Sequence, residues 1–567
     1  MYEGVNASDG IGIGVARVAV EPDLSFTPHV PADAGDEKQR YADARAKFTE
    51  QTNAQIERMT KTVGEEAAAI MGAHIEFAED EGIREMVEGS IDSGMCAEQA
   101  VSEAYDTYYN MFSNMEDELF RERAADVADV KNGLLADLLD KEVVDLSTLP
   151  ENSIVVAREL TPSMTADIDK DNVAGIITET GGRTSHSAII ARALEIPAVL
   201  SVADVTKNIK NGDLLVVDGT NGNIITSPND HDLAHYRAKA RQFAQDKEAL
   251  EAYRGKQTVT GDGDSVLLVA NIGNPDDANV AAEHDCEGVG LFRSEFLFMD
   301  AKELPTEDEQ FAAYQKVALR MKGQPVIIRT LDVGGDKEIP YLNLQKEENP
   351  FMGYRAVRYC LGNPEQYKVQ LTALLRASAF GDVKIMVPLV TNIDEIRQVR
   401  SLVETCKVEL DARGVAYNKS IQIGTMIETP AASLIADDLA AECDFFSIGT
   451  NDLIGYTMCA DRGNSRVGYL YEVYQPAVLR SLRRIIEEGN KANIMVGMCG
   501  EAAADPLLIP VLISFGLGEF SVSAPSILRT RRVISEWTKA EADALTEKVM
   551  GLKTSTEVKA MLQSAAR

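Results

Sequence analysis

One histidine and a scattered set of arginines, carboxylates and one cysteine carry the chemistry available to this sequence. His186 sits in GGRTSHSAIIARALEIP, residues 181–197, where two glycines give way to a helical apolar pattern that Pro197 stops. Thr184 or Ser185 is placed to cap that helix, and the glycines permit backbone shapes closed to other residues. An imidazole in or near a first helical turn lies among N–H groups that favour negative charge, which suits a carrier of a phosphoryl group. The same residues also describe a capped helix with a surface histidine, and the segment alone does not choose between them.

The second half of the chain supplies the partners. Short apolar runs occur at 266–270, 288–292, 326–328, 384–390, 421–427, 445–449, 493–497 and 519–523, separated by helical-looking spacers. Eight such units over about 300 residues fit a (β/α)8 barrel, with an open doubly wound sheet as the alternative. Barrel enzymes place their chemistry at the C-terminal ends of the strands. The second run ends in Arg293 and the third in Arg329. Glu428 closes the fifth within TMIETPAA, and Asn451 and Asp452 follow the sixth within GTNDLIGYT. Cys499 follows the seventh within GMCGEAA, while Arg355 (NPFMGYRAVR) and Arg462 (ADRGN) lie in intervening loops. Singly, these are salt-bridge arginines, a solvated glutamate and an inert core cysteine. Jointly, the guanidinium groups can grip a phosphate and a carboxylate bidentately. Glu428 and Asp452 offer hard oxygens to one Mg²⁺ that keeps water and substrate in its shell. Cys499 can deliver a proton to carbon. The set describes a site for a small phosphorylated carboxylic acid.

The elements that must position these residues fall into distinct blocks. IGIGVARVAV (11–20) reads as a strand, and strand-like runs resume at Ile154 (IVVAREL), Val173 (VAGIITET), Ala198 (AVLSV) and Asp213 (DLLVVDG). Between Pro31 and Pro150 there is no proline, and Ala, Glu, Asp and Met recur with helical periodicity. That interval reads as antiparallel helices inserted into one α/β domain. Residues 31–143 hold 27 Asp and Glu against 11 Lys and Arg, about half of the formal charge of −34. So acidic a chain repels phosphate backbones, which argues against a general binder of nucleic acid or anionic membranes and suits a basic protein partner. A solvated helical face accounts for the same charge. The stretch at 229–256 reads as a helical connector. Seven dispersed cysteines without a CxxC pair indicate neither a disulfide framework nor a zinc ribbon. The start MYEGVNASDG has no basic or apolar leader, so a reduced cytoplasm is expected.

In ASDGIGIG, LTPSMTADI, GGRTSHSAIIARALEIPAV, LFRSEFLFMD, NPFMGYRAVR, ETPAA, GTNDL, DRGN and GMCGEAA the sequence resembles the phosphoenolpyruvate–protein phosphotransferases, enzyme I of the bacterial sugar phosphotransferase system. The resemblance runs over essentially the whole chain. It implies a multidomain α/β architecture: a swivelling phosphohistidine domain at 1–24 and 144–228, and an inserted helical domain at 25–143 that docks the phosphocarrier protein HPr. A connector at 229–256 and a phosphoenolpyruvate-binding, dimerising (β/α)8 barrel at 257–567 follow. It implies His186 as the phosphorylated residue, with Thr184 near its ring; Arg293, Arg329, Asn451, Asp452 and Arg462, with Arg355 added, around phosphoenolpyruvate; Glu428 and Asp452 on Mg²⁺; and Cys499 as the donor that protonates the enolate to pyruvate. Ile454, Gly455 and Asp9 depart from the family pattern and put in doubt the packing near the magnesium site and at the dimer contact. Pyruvate phosphate dikinases and phosphoenolpyruvate synthases share the histidine domain and barrel, but no nucleotide-binding GxxxxGK[ST] precedes the histidine here. A partner-binding sensor without catalysis is the reading from another class, and the intact residue set argues against it.

Overall fold

The computed structural model describes the chain apart from residues 1, 20–21, 63–64, 114–117, 142–145, 147–148, 161–163, 165–167, 183–184, 300, 302, 335–338, 343, 346, 463 and 465. It divides into two units, Met1–Lys247 and Glu248–Arg567.

The first unit is built on an eight-stranded mixed sheet. Its strands are β1 (Tyr2–Glu3), β2 (Val5–Ser8), β3 (Ile11–Val18), β4 (Ser153–Ala157), β5 (Val173–Thr178), β6 (Ala198–Leu200), β7 (Leu214–Asp218) and β8 (Asn223–Thr226), in the order β1-β8-β7-β3-β4-β5-β6-β2. Strands β3 to β6 run parallel to one another, whereas β7, β8, β1 and β2 pair antiparallel. The chain start therefore supplies both edge strands, each short, and short edges offer little open N–H and C=O to another chain. The alternation IGIG in β3 has a steric cause. A Cβ on Gly12 would meet the Ala174 carbonyl oxygen at 1.9 Å and one on Gly14 the Asn152 oxygen at 2.0 Å. Strands β1 (YE), β2 (VNAS) and β8 (NIIT) mix polar residues into short spans and show no apolar run, whereas even the three-residue β6 lies in the run AVLSV and is legible in the sequence.

The insertion is helical: α1 (Ala34–Thr62), α2 (Glu65–Glu79), α3 (Glu81–Asp92), α4 (Ala97–Ser113) and α5 (Glu118–Leu138). They close on a core that includes Tyr41, Ile83, Val87, Val101, Tyr105 and Val130. Part of the acidic surplus is structural. The Glu37 carboxylate accepts the Ala97 N–H at the start of α4 at 2.6 Å, and Arg40 bridges Glu37 (2.9 Å) to Glu98 (2.5 Å). The solvated-face reading thus holds for only some of these charges. Then follow α6 (His186–Ala193) and α7 (Asp230–Glu251), within which the boundary of the two units falls.

The second unit is a closed barrel of eight parallel strands, which removes the open-sheet alternative. Its strands are β9 (Leu267–Ile272), β10 (Val289–Arg293), β11 (Pro325–Arg329), β12 (Asp382–Val387), β13 (Ile423–Ile427), β14 (Phe445–Ile448), β15 (Met495–Met498) and β16 (Glu519–Val522), and β16 returns to β9. One face of each strand meets the helical layer, and the other fills the lumen with Leu291, Ile327, Met386, Met426 and Phe445. The intervening helices start cleanly. Asn392 and Glu395 form a capping box at Ile393–Arg413, and Thr306 and Glu309 form another at Glu307–Met321, each worth about 1 kcal/mol. Among the described residues no helix is long and apolar enough to cross a membrane.

Candidate active site

The eight βα loops of the barrel gather the predicted residues at one mouth. Arg293 and Arg329 are the last residues of β10 and β11. Glu428 directly follows β13, where Thr429 caps the short helix Pro430–Leu434 by accepting the Ala432 N–H at 3.1 Å. Asn451 and Asp452 stand in the first turn of a helix, Thr450–Met458, that begins immediately beyond β14. Cys499 follows β15. Arg355 arrives from the loop after β11, and Arg462 from the exposed loop after Thr450–Met458.

Two buried carboxylates that the strand-end reading did not single out organise the arginines. Arg329 pairs with Glu295, the first residue of the helix Glu295–Met299, and lies 3.2 Å from Asp332. Arg355 donates to both oxygens of Asp332, at 2.9 and 3.2 Å, and sits 3.4 Å from Asp452. Asp332 therefore bridges the two guanidinium groups. Burial disfavours the charge on Arg329, but Glu295, Asp332 and Glu428 outweigh it and raise its pKa. The same contest at Arg355 is won by Asp332 and Asp452. Tyr456 accepts from Arg355 at 3.4 Å, and its own hydroxyl donates to the Phe351 carbonyl, whose ring lies 5.6 Å from the Arg355 guanidinium. Arg293 has no ion-pair partner among the described residues and is half-buried, which leaves its donors for a ligand. Glu295 and Asp332 were within reach of sequence reasoning: they stand two and three positions beyond Arg293 and Arg329.

The carboxylate pair on the other side is crowded. Glu428 accepts the Leu389 N–H at 2.6 Å, and burial, then Asp452 and Asp332, raise its pKa far above the usual carboxylate range. Oε2 of Glu428 lies 2.6 Å from the point a Cβ on Gly449 would occupy, so glycine there keeps the carboxylate's space open. Negative groups that repel one another in a buried setting, with hard oxygen donors, fit a divalent cation. No group of three or more His, Cys, Asp or Glu able to hold a metal occurs among the described residues. The fit is to an ion taking two protein carboxylates and completing its shell with substrate and water oxygens. Two non-glycine residues with left-handed φ, Leu389 (55°) and Ala356 (52°), lie against this cluster, each a local strain of order 1–3 kcal/mol that the surrounding contacts sustain.

Cys499 is buried at the floor of the mouth. Burial pushes its thiol up to about 11, against smaller opposing effects of Ser447 and Arg329, so it stands protonated at neutral pH. Its carbonyl accepts from Asn271 at 3.1 Å, and Asn271 is in turn held by Ser521, which donates to it at 2.7 Å. Asn451 accepts the Glu501 N–H at 3.4 Å and, through its own carbonyl, the Tyr471 hydroxyl at 2.8 Å. Of the residues that depart from the family pattern, Ile454 is buried in the barrel core, and a Cβ on Gly455 would make only ordinary contacts.

In the first unit, His186 opens α6, and the cap is Ser185, whose Oγ accepts the Ala188 N–H at 3.4 Å and donates to the Gly182 carbonyl at 2.8 Å. Gly181 takes φ 104°, held by Ser201 on its carbonyl at 2.7 Å. Thr184 lies outside the described residues.

Comparison with known proteins bears on this arrangement. Residues 3–123, 149–222 and 247–539 match three families of PEP-utilising enzymes: the N-terminal, the mobile and the PEP-binding domain. A phosphoenolpyruvate-protein phosphotransferase of Bacillus sp. (strain S) is 45% identical over 98% of this chain and 96% of its own. The chain belongs to the phosphoenolpyruvate-protein phosphotransferase family. Another member, from Bacillus subtilis (strain 168), is 44% identical over 99% of both chains. A solved Enzyme I structure (nEIt) is 36% identical over 43% of this chain and 100% of its own, at a TM-score of 0.39, a likeness too slight to define the fold by itself. The phosphotransferase family thus accounts for the helical insertion as well as the barrel, because the relatives align across both.

Proposed function

We propose that this protein transfers the phosphoryl group of phosphoenolpyruvate to its own His186, releasing pyruvate, and then to a histidine of HPr, the first step of the sugar phosphotransferase system. The observation that carries this reading is the bridge from Asp332 to Arg329 and Arg355 beside Glu428, Asp452 and Cys499 at one barrel mouth.

Phosphoryl transfer asks for positioning and charge neutralisation more than covalent help from the protein. Arg293, Arg329 and Arg355 would hold the phosphate and carboxylate, with Asn451 and Arg462 seating the substrate. Glu428 and Asp452 would hold Mg²⁺, which when bound supplies charge neutralisation at the phosphoryl oxygens. His186 is phosphorylated as its nitrogen forms the P–N bond and the enolate oxygen leaves phosphorus. Cys499 then gives its proton to the methylene carbon, and pyruvate departs. A thiol kept protonated by burial is suited to that donation.

His186 belongs to the first unit and the arginine cluster to the second. One histidine has to serve both a substrate and a protein partner, so the α/β domain at 1–24 and 144–228 moves as a body about the connector at 229–256. The insertion at 25–143 docks HPr, and the acidic surplus of 31–143 supports a basic partner there. The barrel at 257–567 pairs two copies, a reading supported by exposed Phe296, Met299 and Leu304 after β10 and Met352 and Tyr354 after β11. The cytoplasm is the proposed compartment. Incubation with labelled phosphoenolpyruvate and Mg²⁺, with and without HPr, tests the function. Acid-labile, base-stable label on the wild type that passes to HPr, and none on His186→Ala, is the expected result; label on His186→Ala would overturn it.

A further inference from the structure

Below the arginines, the barrel lumen holds a polar feature that phosphoryl transfer does not use. Ser447 on β14 is paired with Gly497 on β15, and Gly497 with Glu519 on β16, so the three stand abreast on one sheet face. Ser447 and Glu519 are buried. The missing side chain at position 497 makes room for the carboxyl: a Cβ there would meet Glu519 Oε1 at 2.6 Å. The Glu519 carboxyl thus occupies the space over Gly497, on the strand that lies between its own and that of Ser447. Ser447 Oγ is buried and makes no hydrogen bond among the described residues, which leaves its hydroxyl to turn, and it is near enough to the Cys499 thiol to lower that thiol's pKa. Cys499 lies two residues beyond Gly497, on the same face. Burial pushes the Glu519 carboxyl up to about 7, and Lys384 of β12, itself 3.9 Å from Asp382, is the charged group that opposes it.

Each turnover by the proposed mechanism leaves a thiolate in a buried position, and that sulfur must regain a proton before the next. We propose that Glu519 resupplies the proton of Cys499 through the hydroxyl of Ser447. The proposal rests on the reading of Cys499 as the donor to the enolate. Every bond in the sequence balances. A C–H bond forms at the methylene carbon as S–H breaks. S–H re-forms as the Ser447 O–H breaks, and that O–H is restored from the protonated Glu519 carboxyl. The resulting carboxylate then takes a proton from solvent. The donor form is protonated, so the supply is present below about pH 7 and is lost as pH rises through that value. Lys384 favours the carboxylate, so its removal moves the loss to higher pH.

The test is exchange of labelled pyruvate into phosphoenolpyruvate by the full-length protein with Mg²⁺, together with deuterium entry into the pyruvate methyl group in D₂O. Glu519→Gln and Ser447→Ala should each slow both exchanges about tenfold while the phosphoenolpyruvate concentration at half-rate stays within twofold. Glu519→Gln should also flatten the fall in rate near pH 7, and Lys384→Met should move that fall upward. Folded Glu519→Gln and Ser447→Ala variants with wild-type rates and pH profile overturn the proposal. If neither variant folds, an unmoved profile in Lys384→Met overturns it. Cys499→Ala separates the two levels. Wild-type methyl exchange in that variant removes the role of Cys499 and the relay with it. Slow exchange in Cys499→Ala, alongside wild-type exchange in Glu519→Gln and Ser447→Ala, removes the relay alone.

Discussion

Replacing Asp332 by asparagine tests the claim that one buried carboxylate sets the geometry of two arginines. The side chain keeps its shape and one acceptor oxygen but loses its charge. Asp332 takes two bonds from Arg355, at 2.9 and 3.2 Å, and stands 3.2 Å from Arg329. Breaking a buried ion pair costs about 3–5 kcal/mol when the remaining charge is stranded. Here neither charge is stranded, because Arg329 keeps Glu295 and Arg355 keeps Asp452 at 3.4 Å. The cost to the fold is accordingly about 1–3 kcal/mol. Catalysis feels a different quantity. Each guanidinium loses a charge-assisted bond of about 1.5–3 kcal/mol, part of which is recovered on a bound phosphate. A net loss of about 2–3 kcal/mol in the transition state corresponds to a fall of about 30–150-fold in kcat/KM. Misorientation acts chiefly on the reacting geometry, so kcat should carry most of the fall. The assay is the initial rate of label transfer from phosphoenolpyruvate to the protein, with circular dichroism melts run in parallel. A folded Asp332→Asn variant within threefold of wild type in kcat/KM would refute the bridging argument.

Other consequences can be checked separately. Ser185→Ala removes the cap of α6 and should cost about 1 kcal/mol, read as a lower denaturation midpoint with an unchanged m-value. Gly12→Ala forces a Cβ into the Ala174 carbonyl oxygen at 1.9 Å, a backbone clash that β3 cannot relieve locally. Destabilisation of about 3 kcal/mol or more in the first unit should follow, measured by chemical unfolding. The Cys499 thiol has its pKa raised from an ordinary 9.0 to about 11 by burial, so its contribution to stability is complete below about pH 9 and is lost as pH rises toward 11. The midpoint of thermal unfolding of wild type should therefore fall more steeply over that window than that of Cys499→Ala.

What the sequence made legible follows from how each signal is written. The eight barrel strands are buried on both faces and appear as continuous apolar runs, and their ends place Arg293, Arg329, Glu428 and Cys499 without ambiguity. Ser185 rather than Thr184 caps α6, a choice that two adjacent hydroxyl residues leave open. Glu295 and Asp332 stand close to the strand ends, but the role each plays is not written locally. Their role lies in ion pairs to arginines 34 and 23 positions away, and no local period records such a partner. Closure of the barrel, likewise, is a long-range pairing of β16 with β9.

The four buried acids among the described residues of the barrel show why residue type alone could not assign these roles. Glu295 and Asp332 face guanidinium groups directly, so their charge is matched and they serve as fixed anchors. Glu428 faces Asp452 and Asp332 as well as the arginines, and the balance raises its pKa; a site in that state gains most from an added cation. Among the described residues Glu519 has Lys384 alone against its burial and sits near pH 7, where a carboxyl exchanges its proton most readily. The side chains are nearly the same, and the difference lies in how many positive groups each one meets. Moving a single cation should therefore convert one role into another. In Lys384→Met the Glu519 carboxyl loses the positive charge that opposes its burial and binds its proton more tightly, which turns a group poised to exchange into one that holds.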